Sequence, residues 1–347
     1  MRLDMPFISV VIPCYNEVKF VEQVFQNVLD QDYPSERMEV IFSDGMSDDG
    51  TRDKLHALAE KNKLLRIIDN PNRFVPSALN LAIRSSKGDV IVRLDAHSEY
   101  SRNYLSTLVK AMLEHPIENV GGVWDTQPGA DTDEARAIVL ATSHPLGIGN
   151  ASYRLGGSEE RYVDTVPFGC FRRSLFDRIG WFDEDLIRNQ DDEFNGRITR
   201  AGGKILLLPE LKIKYFARGT RKKLSRMFFQ YGQFKPLVNL KLGAPATIRQ
   251  FVPPIFVLVW TLSFVFSFFA PLAFMVFAII TSIYLLSVCF VSARLAGIQK
   301  PSLMMKTIIT FPTIHFSYGI GYISGLYRYT LLKSHLKANR PSVNTSR

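Results

Sequence analysis

At 347 residues the chain is longer than one ordinary domain. Its net charge of +9 is localised: Leu211 to Arg249 holds ten Lys/Arg and no Asp/Glu. That block runs straight into apolar sequence, so membrane lipids with anionic headgroups are its expected partner and nucleic acid is not. Cys14, Cys170 and Cys289 are isolated, with no CxxC pair, which argues against a disulfide framework or a zinc knuckle and fits a reducing compartment. Met1 to Pro6 has no signal-peptide shape, and the large N-terminal part is expected in the cytoplasm.

In chain order, Phe7–Pro13 is a continuous apolar run and predicts a buried strand. Val18–Leu29 has apolar residues at Val21, Val24, Phe25, Val28 and Leu29, a helical spacing. Met38–Asp44 is the next strand, Thr51–Ala59 a helix, Leu65–Asp69 a third strand, and Pro76–Ser86 a helix feeding the Val90–Leu94 strand. Strand and helix alternating at this spacing predict an α/β fold with a parallel sheet and right-handed crossovers. Each strand ends in polar residues. Pro13, Tyr15, Asn16 and Glu17 follow Ile12; Asp44, Ser47, Asp48 and Asp49 follow Phe42; Asp95 and His97 follow Leu94. In such sheets the carboxyl edge is where ligands bind. Asp95 and His97 are two residues apart, so the strand end presents both while Ala96 points away. A carboxylate beside an imidazole is a site for a divalent metal. Arg93 is expected to be structural, facing away from Asp95. Asp48 is a candidate cap for the helix that starts at Thr51. Neither GxGxxG nor GxxxxGK[ST] occurs, so a nucleotide would be held by side chains and a metal.

Phe251 to Ala293 is 43 residues without a charge, enough for two membrane helices with Pro271 as the break between them. Thr307 to Tyr327 is a second uncharged run of 21, interrupted by Pro312, His315 and several glycines and serines. Two crossings return the basic Arg294–Lys306 loop to the cytoplasm. A third would put the basic C-terminus outside, so the second run is expected to be re-entrant or interfacial rather than a third span.

Three blocks, Val10–Glu17, Ser43–Thr51 and Arg93–His97, resemble the GT-A family 2 glycosyltransferases. Asp164–Arg173 and Arg188–Phe194 resemble the ExoA-like branch of succinoglycan and exopolysaccharide biosynthesis. The likeness runs from about Phe7 to Lys235. It implies a GT-A nucleotide-diphospho-sugar transferase fold, a Rossmann-like, mostly parallel sheet, followed by C-terminal transmembrane helices. The domains expected are a catalytic domain over 1–215, a basic juxtamembrane segment over 216–250, a membrane domain over 251–330 and a basic tail over 331–347.

The resemblance further implies that Glu17 and Asp44 contact the ribose and base of a nucleotide-sugar donor, and that Pro13 and Tyr15 shape that pocket. Asp95 and His97 match the metal-binding DXD, with His for the last Asp; Asp95 thus serves donor and metal, and Mn²⁺ stands at least level with Mg²⁺. Asp191 is the candidate base, with Arg197 six residues on and Gln190 where an acid is usual; Asp192 is its rival. Gln230, Gln233 and Phe234 occupy the place of a QxxRW motif, altered in a way that favours single transfer. They are candidates for acceptor contact or for an interfacial helix with Met227, Phe228, Phe229 and Phe234 toward lipid.

The expected protein is therefore a multi-pass enzyme of the inner (cytoplasmic) membrane with its catalytic domain in the cytoplasm. It is an inverting, metal-dependent transferase moving one hexose, UDP-linked, to a polyprenyl-diphosphate-linked saccharide, alongside other exopolysaccharide assembly proteins. Its rivals are a processive polysaccharide synthase and a non-catalytic nucleotide-sugar-binding protein.

Overall fold

The computed structural model describes residues 5–245 and 247–333; most of the expected basic tail lies outside them. Two compact units result, one formed by Met1–Asp125 with Ser152–Tyr215, the other by Thr126–Ala151 with Phe216–Arg347. Residues 126–151 fall inside the range expected for the catalytic domain, yet they cluster with the C-terminal segment.

The first unit begins with β1 (Ile8–Cys14), α1 (Val21–Leu29), β2 (Met38–Asp44), α2 (Thr51–Lys61), β3 (Leu65–Asp69), α3 (Val75–Ser85) and β4 (Val90–Arg93). Then come β5 (Ser98–Tyr100), α4 (Tyr104–Glu114) and β6 (Asn119–Gln127). The chain next forms α5 (Asp133–Thr142) and the single turn α6 (Pro145–Ile148), both in the second unit. The first unit resumes with the turn α7 (Ser152–Leu155), β7 (Arg161–Tyr162), β8 (Cys170–Arg172), α8 (Ser174–Ile179), α9 (Gln190–Arg200) and β9 (Ile205–Phe216).

The strand order is β3-β2-β1-β4-β8-β6-β9-β5, with β7 beside β9. β3, β2, β1 and β4 pair in parallel. β8 joins β4 antiparallel, and the pairs β6–β8, β5–β9 and β7–β9 are antiparallel too. The sheet is thus mixed, not mostly parallel. The continuous apolar runs of β1 and β2 follow from burial on both faces. Val10, Ile12, Val40 and Phe42 pack with Val21, Val24, Phe25 and Val28 of α1 and with α4. Val11, Ile41 and Ile91 meet Leu79, Ala82 and Ile83 of α3 and Phe194 and Ile198 of α9 on the other side. Each such fully buried side chain contributes about 1.5–3 kcal/mol. This packing holds the carboxyl ends of β1, β2 and β4 side by side.

The second unit continues with α10 (Arg221–Leu242), α11 (Val252–Phe266), α12 (Pro271–Ala296) and α13 (Pro301–Leu326). Pro271 opens α12 at a first-turn position, where its missing N–H costs nothing. Among the described residues, Ile248–Phe266 and Pro271–Ala296 are long and apolar enough to cross a membrane. α13 is one unbroken helix through Pro312, so Thr307–Tyr327 does not fold back as a re-entrant hairpin. It packs on α10 through glycine. A Cβ on Gly321 would stand 2.1 Å from the Phe229 carbonyl oxygen, and one on Gly232 2.1 Å from that of Tyr318. Met227, Phe228 and Phe234 of α10 are buried within the unit and do not face outward as an interfacial helix would require.

Candidate active site

The loops after β1 and β2 are laced together. The Asn16 amide donates to Asp48 at 2.9 Å, and the Asp48 backbone N–H returns to Asn16 Oδ1 at 3.1 Å. The Asn16 backbone N–H donates to Ser47 Oγ at 2.9 Å, and that of Glu17 to Thr51 Oγ1 at 2.8 Å. Asp48 therefore binds the β1 loop. The backbone N–H of Thr51 is taken by Asp49 instead, at 3.0 Å. Hydrogen bonds from Thr51 and Val18 outweigh the cost of desolvation and hold the Asp49 carboxyl below its usual range. Asn16 and Met46 have left-handed backbones at φ 57° and 58°, a sign of tightly determined loops.

Pro13 is buried and Tyr15 half-buried. The Tyr15 ring lies over Gly45, where a Cβ would come within 3.1 Å of it, and the Arg73 guanidinium lies 5.7 Å from the ring centroid. Arg73, exposed and at φ 63°, is a residue that sequence reading misses, because it belongs to the turn after β3 and to no strand end. Asp44 is fully buried, accepting from Ser47 Oγ at 2.5 Å, the Ser47 backbone N–H at 3.1 Å and Arg52 Nη1 at 2.8 Å. Arg52 also bridges to Asp69 at 2.9 Å. Asp44 thus orders the loop after β2.

Glu17 is 1% exposed, and its Oε1 faces His97 Nδ1 at 3.8 Å. This contact ties the end of β1 to the turn after β4. Asp95 is partly exposed, and its backbone N–H donates to Tyr100 Oη at 2.7 Å. Ala96 is buried in the turn after β4.

Arg93 does not face away from Asp95. The Arg93 guanidinium forms an ion pair with Asp191 and lies 3.5 Å from Asp95. Asp191 is one of three successive acids in the first turn of α9, where the helix dipole favours negative charge. Desolvation pushes the Asp191 carboxyl above its usual range and nearby Asp95 and Asp192 add to this, while Arg93 opposes it. Asp192 sits beside it, half-buried.

The rest of α9 is pinned. Arg197 grips buried Glu193 at 2.7 and 2.9 Å and donates to the carbonyls of Ile179 at 2.6 Å and Trp181 at 2.7 Å. Asn195 accepts from Asn119 and donates to Thr165 Oγ1, both at 2.8 Å. The six-residue spacing from Asp191 to Arg197 therefore reflects anchoring: Arg197 fixes the helix that carries Asp191.

Gln230 and Phe234 are buried in the second unit, and Gln233 donates to Ser324 Oγ at 3.3 Å. All three belong to the second unit, whereas the cluster at the strand ends belongs to the first. Among the described residues, no group of three or more His, Cys, Asp or Glu is spaced to hold a metal ion by itself.

The mixed α/β sheet, with its parallel half leading into an antiparallel half, has the GT-A fold. The mannosyltransferase PcManGT from Pyrobaculum calidifontis, solved in complex with GDP-Man and Mn²⁺, superposes with a TM-score of 0.58 at 20% identity, over 94% of this chain and 88% of that one. Residues 9–180 match Glycosyl transferase family 2. It is 26% identical to a Methanococcus voltae dolichyl N-acetyl-alpha-D-glucosaminyl phosphate 3-beta-D-2,3-diacetamido-2,3-dideoxy-beta-D-glucuronosyltransferase, over 93% of this chain and 98% of the relative. It is 28% identical to the succinoglycan biosynthesis protein ExoA of Rhizobium meliloti, over 70% and 73% respectively.

Proposed function

We propose that the protein is an inverting glycosyltransferase of the cytoplasmic face of the membrane. It moves one hexose from a nucleotide-sugar, UDP-linked, to a polyprenyl-diphosphate-linked saccharide in exopolysaccharide assembly. The observation that carries this reading is the single guanidinium of Arg93, which joins Asp95, at the donor end of the sheet, to Asp191, on the helix that supplies the base.

In the proposed reaction the acceptor hydroxyl oxygen bonds to the anomeric carbon as that carbon's bond to the diphosphate oxygen breaks. Asp191 takes the hydroxyl proton, and the nucleoside diphosphate leaves from the opposite face, so one displacement inverts the anomeric centre. Its raised proton affinity suits a base. Tyr15, Arg73 and the Asp44–Arg52 pair form the nucleotide pocket, with Pro13 and Glu17 behind it.

Asp95 and His97 fit a divalent cation, Mn²⁺ or Mg²⁺. The buried Glu17 carboxylate, 3.8 Å from His97 Nδ1, adds negative charge beside these two groups, which favours a cation there. A hard cation shared with a diphosphate needs only one or two protein ligands. When bound, the cation offsets negative charge on the departing diphosphate.

α11 and α12 are proposed as a membrane hairpin, with the basic residues of α10 at anionic headgroups. Gln233 bonds to Ser324 of α13, and Gln233 and Phe234 in place of the Arg and Trp of a QxxRW motif support single transfer over processive synthesis.

The test uses the full chain in detergent with a panel of nucleotide-hexoses, a lipid-linked disaccharide, and Mn²⁺, Mg²⁺ or chelator. One hexose added per acceptor with inverted configuration is the expected product. Long polymer from one donor would favour a synthase, and no transfer with any donor would favour a non-catalytic binder.

A further inference from the structure

We propose that Arg93 is a positioning residue for the base. Its guanidinium fixes the direction of the Asp191 carboxylate and holds it at a set distance from Asp95. The inference rests on Asp191 being the base of the proposed transfer.

Three contacts immobilise the group. One edge pairs with Asp191 through Nη1, and Nη2 stands 3.5 Å from Asp95. The Phe168 ring lies 5.7 Å from the guanidinium carbon. The backbone is committed as well, because the Arg93 N–H donates to the Gly169 carbonyl at 3.0 Å.

The loop that brings Phe168 there is unusual. Phe168 has φ 63°, a left-handed conformation that a bulky residue rarely adopts. Gly169 follows at φ 99°, where a Cβ would stand 2.4 Å from the Phe171 ring. Such backbones persist where the surroundings over-determine them, and they cluster at working sites.

The Arg93 side chain is 6% exposed, and its buried Nε–H has no hydrogen-bond partner. The residue is therefore held by two carboxylates and a ring and not by a complete structural network. A planar fork sets the angle of a carboxylate; the point charge of a lysine does not. Removing the fork leaves Asp191 free to turn, and a displacement of about 1 Å at a reacting group lowers the rate on the order of 10²-fold.

The test compares wild type, Arg93→Met, Arg93→Lys, Asp191→Asn and the Arg93→Met/Asp191→Asn double variant, all as full chains in detergent. For Arg93→Met, kcat is expected to fall about 100-fold with donor KM within about threefold. Arg93→Lys should lie between it and wild type, and the double variant should be no slower than Asp191→Asn alone. Multiplicative losses in the double variant, or a raised donor KM at unchanged kcat, would overturn the proposal. If Arg93→Met does not fold, the split between kcat and KM is read on Arg93→Lys. If wild type transfers no sugar, the proposed function fails on its own. Melting temperatures over the same four-member cycle then test the pairing, with non-additive shifts expected and additive ones overturning it.

Discussion

The strand ends of the first unit and helices α11 and α12 of the second break the same rule of protein interiors in opposite directions. At the strand ends, charge is buried: Glu17 is 1% exposed, Asp44 not at all and Arg93 5%. In the helices, apolar surface is bare: Leu272 is 72% exposed, Leu286 70% and Phe290 65%. Buried charge is costly unless paired, so it is kept where it does something. Bare apolar surface of this extent is costly in water, which points to a solvent other than water around α12. Pro271–Ala296, at 26 residues, spans about 39 Å, more than the roughly 30 Å of a bilayer core. In the proposed reading, one region carries the chemistry and the other meets the lipid.

The largest effect expected is on the chemistry. Asp191→Asn should lower sugar transfer on the order of 10³-fold, about 4 kcal/mol in the barrier, with donor binding nearly unchanged. Asp192→Asn should cost less than about tenfold. Release of nucleoside diphosphate in the presence of acceptor measures both. Equal losses would show that the burial contrast does not single out the base.

The next effect tests whether buried charge on α9 carries structure as well. Arg197→Met leaves Glu193, 3% exposed, without its ion pair. A loss of about 3 kcal/mol is expected, because an uncompensated buried charge remains. Thermal unfolding in detergent reads it, and a shift of less than a degree would mean that the pair contributes little.

A charge placed on the other region sharpens the contrast from its apolar side. Leu286→Arg puts a guanidinium near the middle of α12, at a cost of about 2.5 kcal/mol for a residue at the centre of a membrane helix. The share of protein resisting alkaline extraction should fall. Unchanged retention of a variant that also carries Ile283→Arg would mean that protein, and not lipid, covers this face.

Much of this was legible in the residues. The parallel half of the sheet is written in the apolar runs of β1 and β2, and α1 in the spacing of Val21, Val24, Phe25 and Val28. The antiparallel half is not, because β5, β7 and β8 have three, two and three residues and no run long enough to show a period. β9 does alternate, with Leu211, Ile213 and Tyr215 inward and Lys212 and Lys214 outward, but its lysines merge with the basic block that follows. The pairing of Arg93 with Asp95 is local, two residues apart where β4 ends. Its pairing with Asp191, 98 residues away, is set by tertiary packing that no local pattern encodes. The glycines of α13 weaken its reading as a membrane span. In the fold they are what admits α10 at close range.

Glu39 supplies the smallest effect and the control for the whole contrast. It too is a buried acid on β2, but it lies at the opposite end of the strands. It accepts from Ser9 Oγ at 2.7 Å, the Lys87 backbone N–H at 2.5 Å and Arg66 Nη1 at 2.7 Å. These bonds outweigh the cost of burial and hold its carboxyl below the usual range. A depressed carboxyl pKa stabilises the fold above the unfolded value, near 4.3, and that stability is lost as pH falls through the folded value. Glu39→Gln should therefore be less stable than wild type at pH 7, by about 1.5 kcal/mol, and the gap should close as the pH is lowered past both values. Melting temperatures across that range measure it, and a gap independent of pH would remove the carboxylate from the account. kcat should not move. A buried charge at the amino end of the sheet would then hold the fold alone, leaving the carboxyl end as the place where burying charge serves the reaction.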